Sequence, residues 1–183
     1  MKALTLALLI SLVAFSTSVT VKEYWNLFKS KGLNEYGTAA MLGNIFPVSG
    51  LLSNLLQASY RRKLNLTSEE YTRRTDLGTY TQFTTDKAGY GLCQWSTTEK
   101  KTVILNKSKE LKVSVGDHKM QVDIIMAELA SQFPDLLNTL KTGTDVEKAC
   151  IAVYESYLPA KDDAGKMMRR ALSKQYYDKY HTK

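Results

Sequence analysis

The sequence predicts an all-α domain, α+β at most, with one glycine-rich loop or small hairpin set between helical halves. Three observations predict it. Apolar residues recur at helical spacing along most of the chain. Three Ser/Thr-x-x-Glu triplets, at Thr67, Ser96 and Thr144, have the form of capping boxes at helix starts. One stretch, Gly78 to Trp95, breaks the periodicity with three glycines and several β-forming residues.

In chain order, Lys2 precedes a largely apolar run of 13 residues, "ALTLALLISLVAF", and then small residues. A basic start, a short apolar segment and small residues describe a secretory signal peptide, and the run is shorter than the about 20 residues a membrane span needs. Residues 1–18 are therefore expected to be a leader, cut near Ser16 or Ser18, leaving residues 19–183 as one exported domain with no membrane span. The bland alternative is a buried core helix. Val21, Tyr24, Trp25, Leu27 and Phe28 give a first apolar face that stops at Gly32. Tyr36, Ala39, Ala40 and Gly43 open a second helix suited to close packing; it contains Asn44 and is expected to break at Pro47, before a Ser49-Gly50 turn. Asp117 caps a helix with Val122, Ile125, Met126, Leu129 and Phe133 on one face, and Met168, Ala171, Leu172 and Tyr176 mark a last amphipathic helix. Residues 78–95 are rich in aromatics and poor in charge, which argues for an ordered, functional loop rather than disorder.

A net charge of +7 attracts anionic partners in general, but no basic helix with base-reading spacing and no zinc-finger pattern is present. Nucleic acid is accordingly not expected as a partner. Neither His118 nor His181 lies in a metal-ligand pattern, so no metal and no cofactor is implied. Cys93 and Cys150 can form one disulfide in an oxidising compartment or remain two separate buried thiols. Asn65-Leu66-Thr67 and Asn106-Lys107-Ser108 match the glycosylation acceptor pattern, which matters only in a eukaryotic secretory route.

Several short motifs then stand in a fixed order. "GNIFPVSGL" (Gly43–Leu51) is followed by Ser59-Tyr60, by "SEEYT" (68–72), by "AGYGLCQW" (Ala88–Trp95), and by Gln121-x-Asp123 with Glu128-Leu129. This series resembles the phage tail-type lysozyme domain, a relative of goose-type lysozymes and soluble lytic transglycosylases. The resemblance runs from about Trp25 to Tyr180. It implies a lysozyme-like fold whose glycine loop lines a sugar cleft, with bacterial cell-wall glycan as partner. It further implies that Ser49, Gly91, Leu92 and Gln94 belong to the substrate-binding set, with Tyr90 and Trp95 offering faces for sugar rings. For Tyr90 and Trp95 the competing role is packing of the loop on the core, and Asn44 reads better as a hydrogen-bonding group within its helix.

At the position where the family pattern carries its catalytic Glu, this chain has Val48. Cleaving a sugar–sugar bond needs a carboxyl group of raised pKa to protonate the leaving oxygen. Val48 delivers no proton. A later element of the family, F-E-x-P, aligns with "SYLP", placing Tyr157 at its Glu, with Glu155 two residues earlier. Among other acids, Glu70, Glu99 and Glu147 read as capping residues and Glu35 as a first-turn carboxylate, and Glu69 and Asp76 have nothing to single them out. Asp86, just before the glycine loop, is the one candidate substitute acid. The expected function is a secreted, antibacterial-type wall-binding protein with hydrolysis lost or strongly reduced. The alternatives are an active muramidase using Asp86 or another acid, and a non-catalytic protein-interaction or inhibitor module. Whether the chain is an enzyme is left open by the sequence, as is its oligomeric state.

Overall fold

The computed structural model describes residues 19–181; the expected leader, 1–18, lies outside the described residues. The architecture is all-α. Among the described residues the helices are α1 (Val21–Ser30), α2 (Glu35–Ser49), α3 (Ala58–Leu64), α4 (Ser68–Asp76), α5 (Thr98–Leu111), α6 (His118–Gln132), α7 (Pro134–Thr142), α8 (Val146–Ser156) and α9 (Asp163–Tyr180). The expected hairpin shrinks to two isolated antiparallel bridges, Leu56 with Tyr90 and Tyr90 with Trp95. None of these helices is long and apolar enough to cross a membrane.

Helix starts follow side-chain chemistry. Thr20 accepts from the Glu23 amide while Glu23 bonds back to the Thr20 amide, a complete capping box that the periodicity alone does not reveal. Thr67 caps α4 as expected, but Glu70 turns its carboxylate to Arg74 at 2.5 Å instead of reaching back. The other two expected starts are displaced by one residue. Thr97 rather than Ser96 caps α5, and Asp145 rather than Thr144 caps α8, accepting from the amides of Glu147 and Lys148. In each case a second oxygen-bearing residue lies nearer the first turn and takes the amides. Asp117 caps α6 through the Met120 amide.

α2 is the central post. Every residue from Gly37 to Ile45 is buried, as expected of a helix surrounded by protein. It packs against α9 and α8 and touches α1 and α7. Close approach to α9 depends on Gly43: a Cβ there would stand 2.1 Å from Ser173 Oγ and 2.6 Å from the Ser173 backbone nitrogen. Gly43→Ala is therefore expected to force α9 away and lower stability by about 1–3 kcal/mol, the usual cost of overpacking a core. A thermal melt checks this. An unchanged midpoint would mean that α9 yields freely.

Pro47 does not end α2 as expected. The helix runs through it to Ser49 and stops at Gly50, whose φ of 62° is the left-handed conformation glycine adopts readily. Pro47 stands in the last turn, where the single backbone bond it forgoes is a small loss. The stripe expected on α9 also needs correction. Met168 is 54% exposed, whereas Arg169, Ser173 and Tyr176 face inward. The buried face of α9 is thus partly polar: of the expected stripe Tyr176 is buried and Leu172 half-buried, while Met168 and Ala171 are exposed.

The cysteines do not pair. Cys93 lies beside the Tyr157 hydroxyl at 3.8 Å, while Cys150 sits within 3.4 Å of Asn44 Nδ2, and both are free thiols. Of the two options, separate thiols is the one found, Cys150 buried and Cys93 partly exposed. Burial raises the pKa of each, so neither is a ready nucleophile.

Candidate functional site

The site is assembled by backbone clips around the glycine loop. After Gly50 the chain passes residues 88–95 through two turns, the Leu52 amide donating to Ser49 O and the Leu55 amide to Leu52 O. The Gln57 amide donates to Gly89 O at 2.8 Å, and the Gly91 amide donates to Leu55 O at 3.0 Å. Gln94 Nε2 donates to Leu55 O (3.0 Å) and Gly91 O (3.1 Å), tying the loop to the same segment. Buried Gln121, at the start of α6, completes the clamp. Its Nε2 donates to Ser53 O and Val115 O, and its Oε1 accepts from the Leu92 amide at 2.9 Å. One side chain thereby fixes three segments. Gly91 has φ 75°, and a Cβ there would stand 2.5 Å from Gln121 Oε1, so glycine is required on two counts.

Between the end of α2, this clipped loop and the start of α9 lies a groove of about 840 Å³. Pro47 and Val48 form part of one wall, Gln94 and Cys93 another, and residues from Leu158 to Arg169 a third. A second depression of about 740 Å³ shares Leu55, Ala58 and Arg61 with it, so the surface is extended enough for a chain-like ligand.

Of the residues singled out in the sequence, Val48 and Gln94 meet in this groove. The rest are placed behind it. Tyr90 is fully buried, with its hydroxyl 2.7 Å from Thr72 Oγ1, and its ring packs edge-on to Phe83. Trp95 and Leu92 are also buried. The loop aromatics therefore pack on the core, the competing role weighed for them, and turn no broad face to the groove. Ser49 is buried with its hydroxyl directed at Ile45 O. Gly91 holds the backbone turn described above. Asn44 is buried, donating to Ala40 O and Cys150 O, and accepting from Arg169 Nη1 at 3.0 Å.

Asp86 does not face the groove. Its side chain is 4% exposed and pairs at 2.5 Å with Lys101 Nζ, whose side chain is fully buried. It also accepts from the hydroxyls of Tyr71 (2.7 Å) and Tyr80 (2.9 Å) and from the Ala88 amide (2.9 Å). Burial pushes the Lys101 pKa down against the opposing pull of Asp86. A carboxylate engaged by four donors inside the core is not placed to meet a ligand in the groove. Its physical task is to anchor the entrance of the glycine loop, helped by Lys101 donating to Ala88 O at 3.0 Å.

Tyr157 closes the end of α8. Its hydroxyl donates to Glu128 at 2.6 Å, and Lys100 holds the other Glu128 oxygen at the same distance. Burial first, then the nearby Cys93 and Glu128, raise the Tyr157 pKa, which keeps it a neutral donor. The four charged residues of the groove were all missed in the sequence: Arg61, Lys161, Asp162 and Arg169. Asp162 accepts from the Gly165 amide at 2.7 Å and caps α9. A D-x-x-G pattern before an apolar-poor helix is a weak signal, and nothing in the sequence marks Arg169 as buried.

An all-α domain whose buried central helix ends at a groove, opposite a glycine loop clipped by glutamines, defines a lysozyme-like class of protein. The phage tail lysozyme family model matches residues 19–180, and the chain belongs to that family. No curated protein matches the chain.

Proposed function

We propose that the chain is an exported, peptidoglycan-directed protein that binds wall glycan and has lost, or nearly lost, the ability to cut it. Family membership supports the ligand class. The observation that carries the loss is the composition of the groove. Where the motif resemblance implies an acid, the wall is Val48, and the one carboxylate lining this groove among the described residues, Asp162, is committed to capping α9. Cleaving a glycosidic bond needs a carboxyl group placed to protonate the leaving oxygen. Asp86, the candidate substitute, is spent on Lys101 and two tyrosines. Export rests on the basic and apolar character of the first residues.

Sedimentation with purified bacterial walls tests this reading. The unmodified protein is expected to pellet with walls and to leave their turbidity unchanged over hours. Failure to pellet would favour an interaction or inhibitor role for the fold. Rapid clearing would restore the muramidase reading.

A further inference from the structure

Arg169 is 6% exposed and forms no ion pair among the described residues. Its guanidinium donates to three neutral acceptors: Asn44 Oδ1 at 3.0 Å, Leu158 O, and Pro159 O at 3.3 Å. A guanidinium carries five N–H donors, so it keeps capacity beyond these contacts. Buried charges are ordinarily paired, because leaving water without a counter-charge is costly. Arg169 also lines the groove, together with the exposed Arg61 and Lys161. The single negative group there, Asp162, spends an oxygen on the α9 amide. The groove is therefore cationic, with its buried cation lacking an anionic partner.

The position of that cation relative to Val48 matters. Arg169 is held by Asn44, one turn before Val48 on α2. Residues four apart on a helix are neighbours on one face. Val48 and Arg169 line the same groove, where position 48 supplies hydrocarbon and no counter-charge to the guanidinium.

We propose that Arg169, with Lys161 and Arg61, forms a subsite for a carboxylate carried by the bound glycan, such as a free carboxyl of a peptide stem on the sugar chain. This rests on the wall-binding reading and specifies which part of the polymer the groove selects. A planar guanidinium fork matches a carboxylate through two parallel hydrogen bonds, and the two exposed cations draw the ligand in. A neutral N-acetylglucosamine chain offers no such group.

The test is calorimetric titration of the whole protein with two soluble glycan probes, and with a glycerol phosphate polymer as comparator. One is a four-sugar peptidoglycan fragment with free stem-peptide carboxyls, and the other is a neutral N-acetylglucosamine tetramer. The charged fragment is expected to bind about tenfold tighter at low salt, with the preference shrinking as salt screens the charges. Lys161→Gln and Arg61→Gln, both at exposed positions where folding is not at stake, should each reduce the preference, read as the ratio of the two affinities, roughly two- to fivefold. Arg169→Gln should abolish the preference in protein that circular dichroism shows to be folded. Equal affinity for both probes, unmoved by the two surface substitutions, would overturn the subsite and leave wall binding standing. Tighter binding of a glycerol phosphate polymer than of the peptide-bearing fragment would overturn the carboxylate assignment. Binding of neither probe would overturn the wall-binding reading along with the subsite.

Discussion

Val48→Glu is expected to turn the protein into a wall-degrading enzyme, clearing bacterial wall suspensions about 10²–10⁴-fold faster than the unmodified chain, the usual worth of a placed general acid. The geometry accommodates the change. Val48 is half-buried at the end of α2 and borders open groove, so a longer side chain extends into space rather than into the core. Its helix is fixed below by the Asn44 contacts and above by the left-handed Gly50. The neighbouring Arg169 favours the ionised form of any carboxyl placed there, against the opposing effect of partial burial. A general acid works only while protonated, so the new activity should rise as the pH falls through the pKa of Glu at 48 and fade above it. Turbidity assays across pH measure both effects. A variant as inert as the parent at every pH would mean that the groove lacks more than the acid.

The second large effect concerns stability. Asp86→Ala removes the sole ion-pair partner of Lys101 among the described residues while that lysine stays fully buried. Breaking a buried pair on one side typically costs about 3–5 kcal/mol, a large share of a domain's total of about 5–15 kcal/mol. For a chain of this size the melting midpoint should fall by roughly 6–20 °C. Two tyrosine hydroxyls and the Ala88 amide also lose their acceptor, and the glycine loop should loosen with them. Adding Lys101→Met should recover much of the loss, because the orphaned charge goes too. Thermal melts of the single and double variants decide. An unchanged midpoint in Asp86→Ala would show that the carboxylate is not the anchor described.

These two residues also show how far a sequence can be read. The helical frame was legible because 3.6-residue periodicity and cap chemistry are local: α1, α2, α4 and α6 begin within a residue or two of their signals. Caps at α5 and α8 slipped by one residue because Ser96 and Thr97, or Thr144 and Asp145, are adjacent and equally able to accept an amide. The glycine loop was legible as an irregular segment. Its orientation was not, because whether Tyr90 faces a ligand or Phe83 depends on contacts across the fold. Asp86 looked available because its position before a glycine loop says nothing of Lys101, 15 residues on. Arg169 was invisible for a related reason: an arginine next to Met168 on an amphipathic helix looks solvated, and only the packing of α9 on Asn44 buries it. Motif order, by contrast, survives such ambiguities, and it identified the family that residues 19–180 match.

Quantifying soluble muropeptides released from purified walls by the unmodified protein is the most direct check on a groove that holds glycan without cleaving it. Release at the level of a buffer blank, from walls that nonetheless carry the protein down on centrifugation, is the predicted result. Sustained release at the rate of a working lysozyme would contradict it.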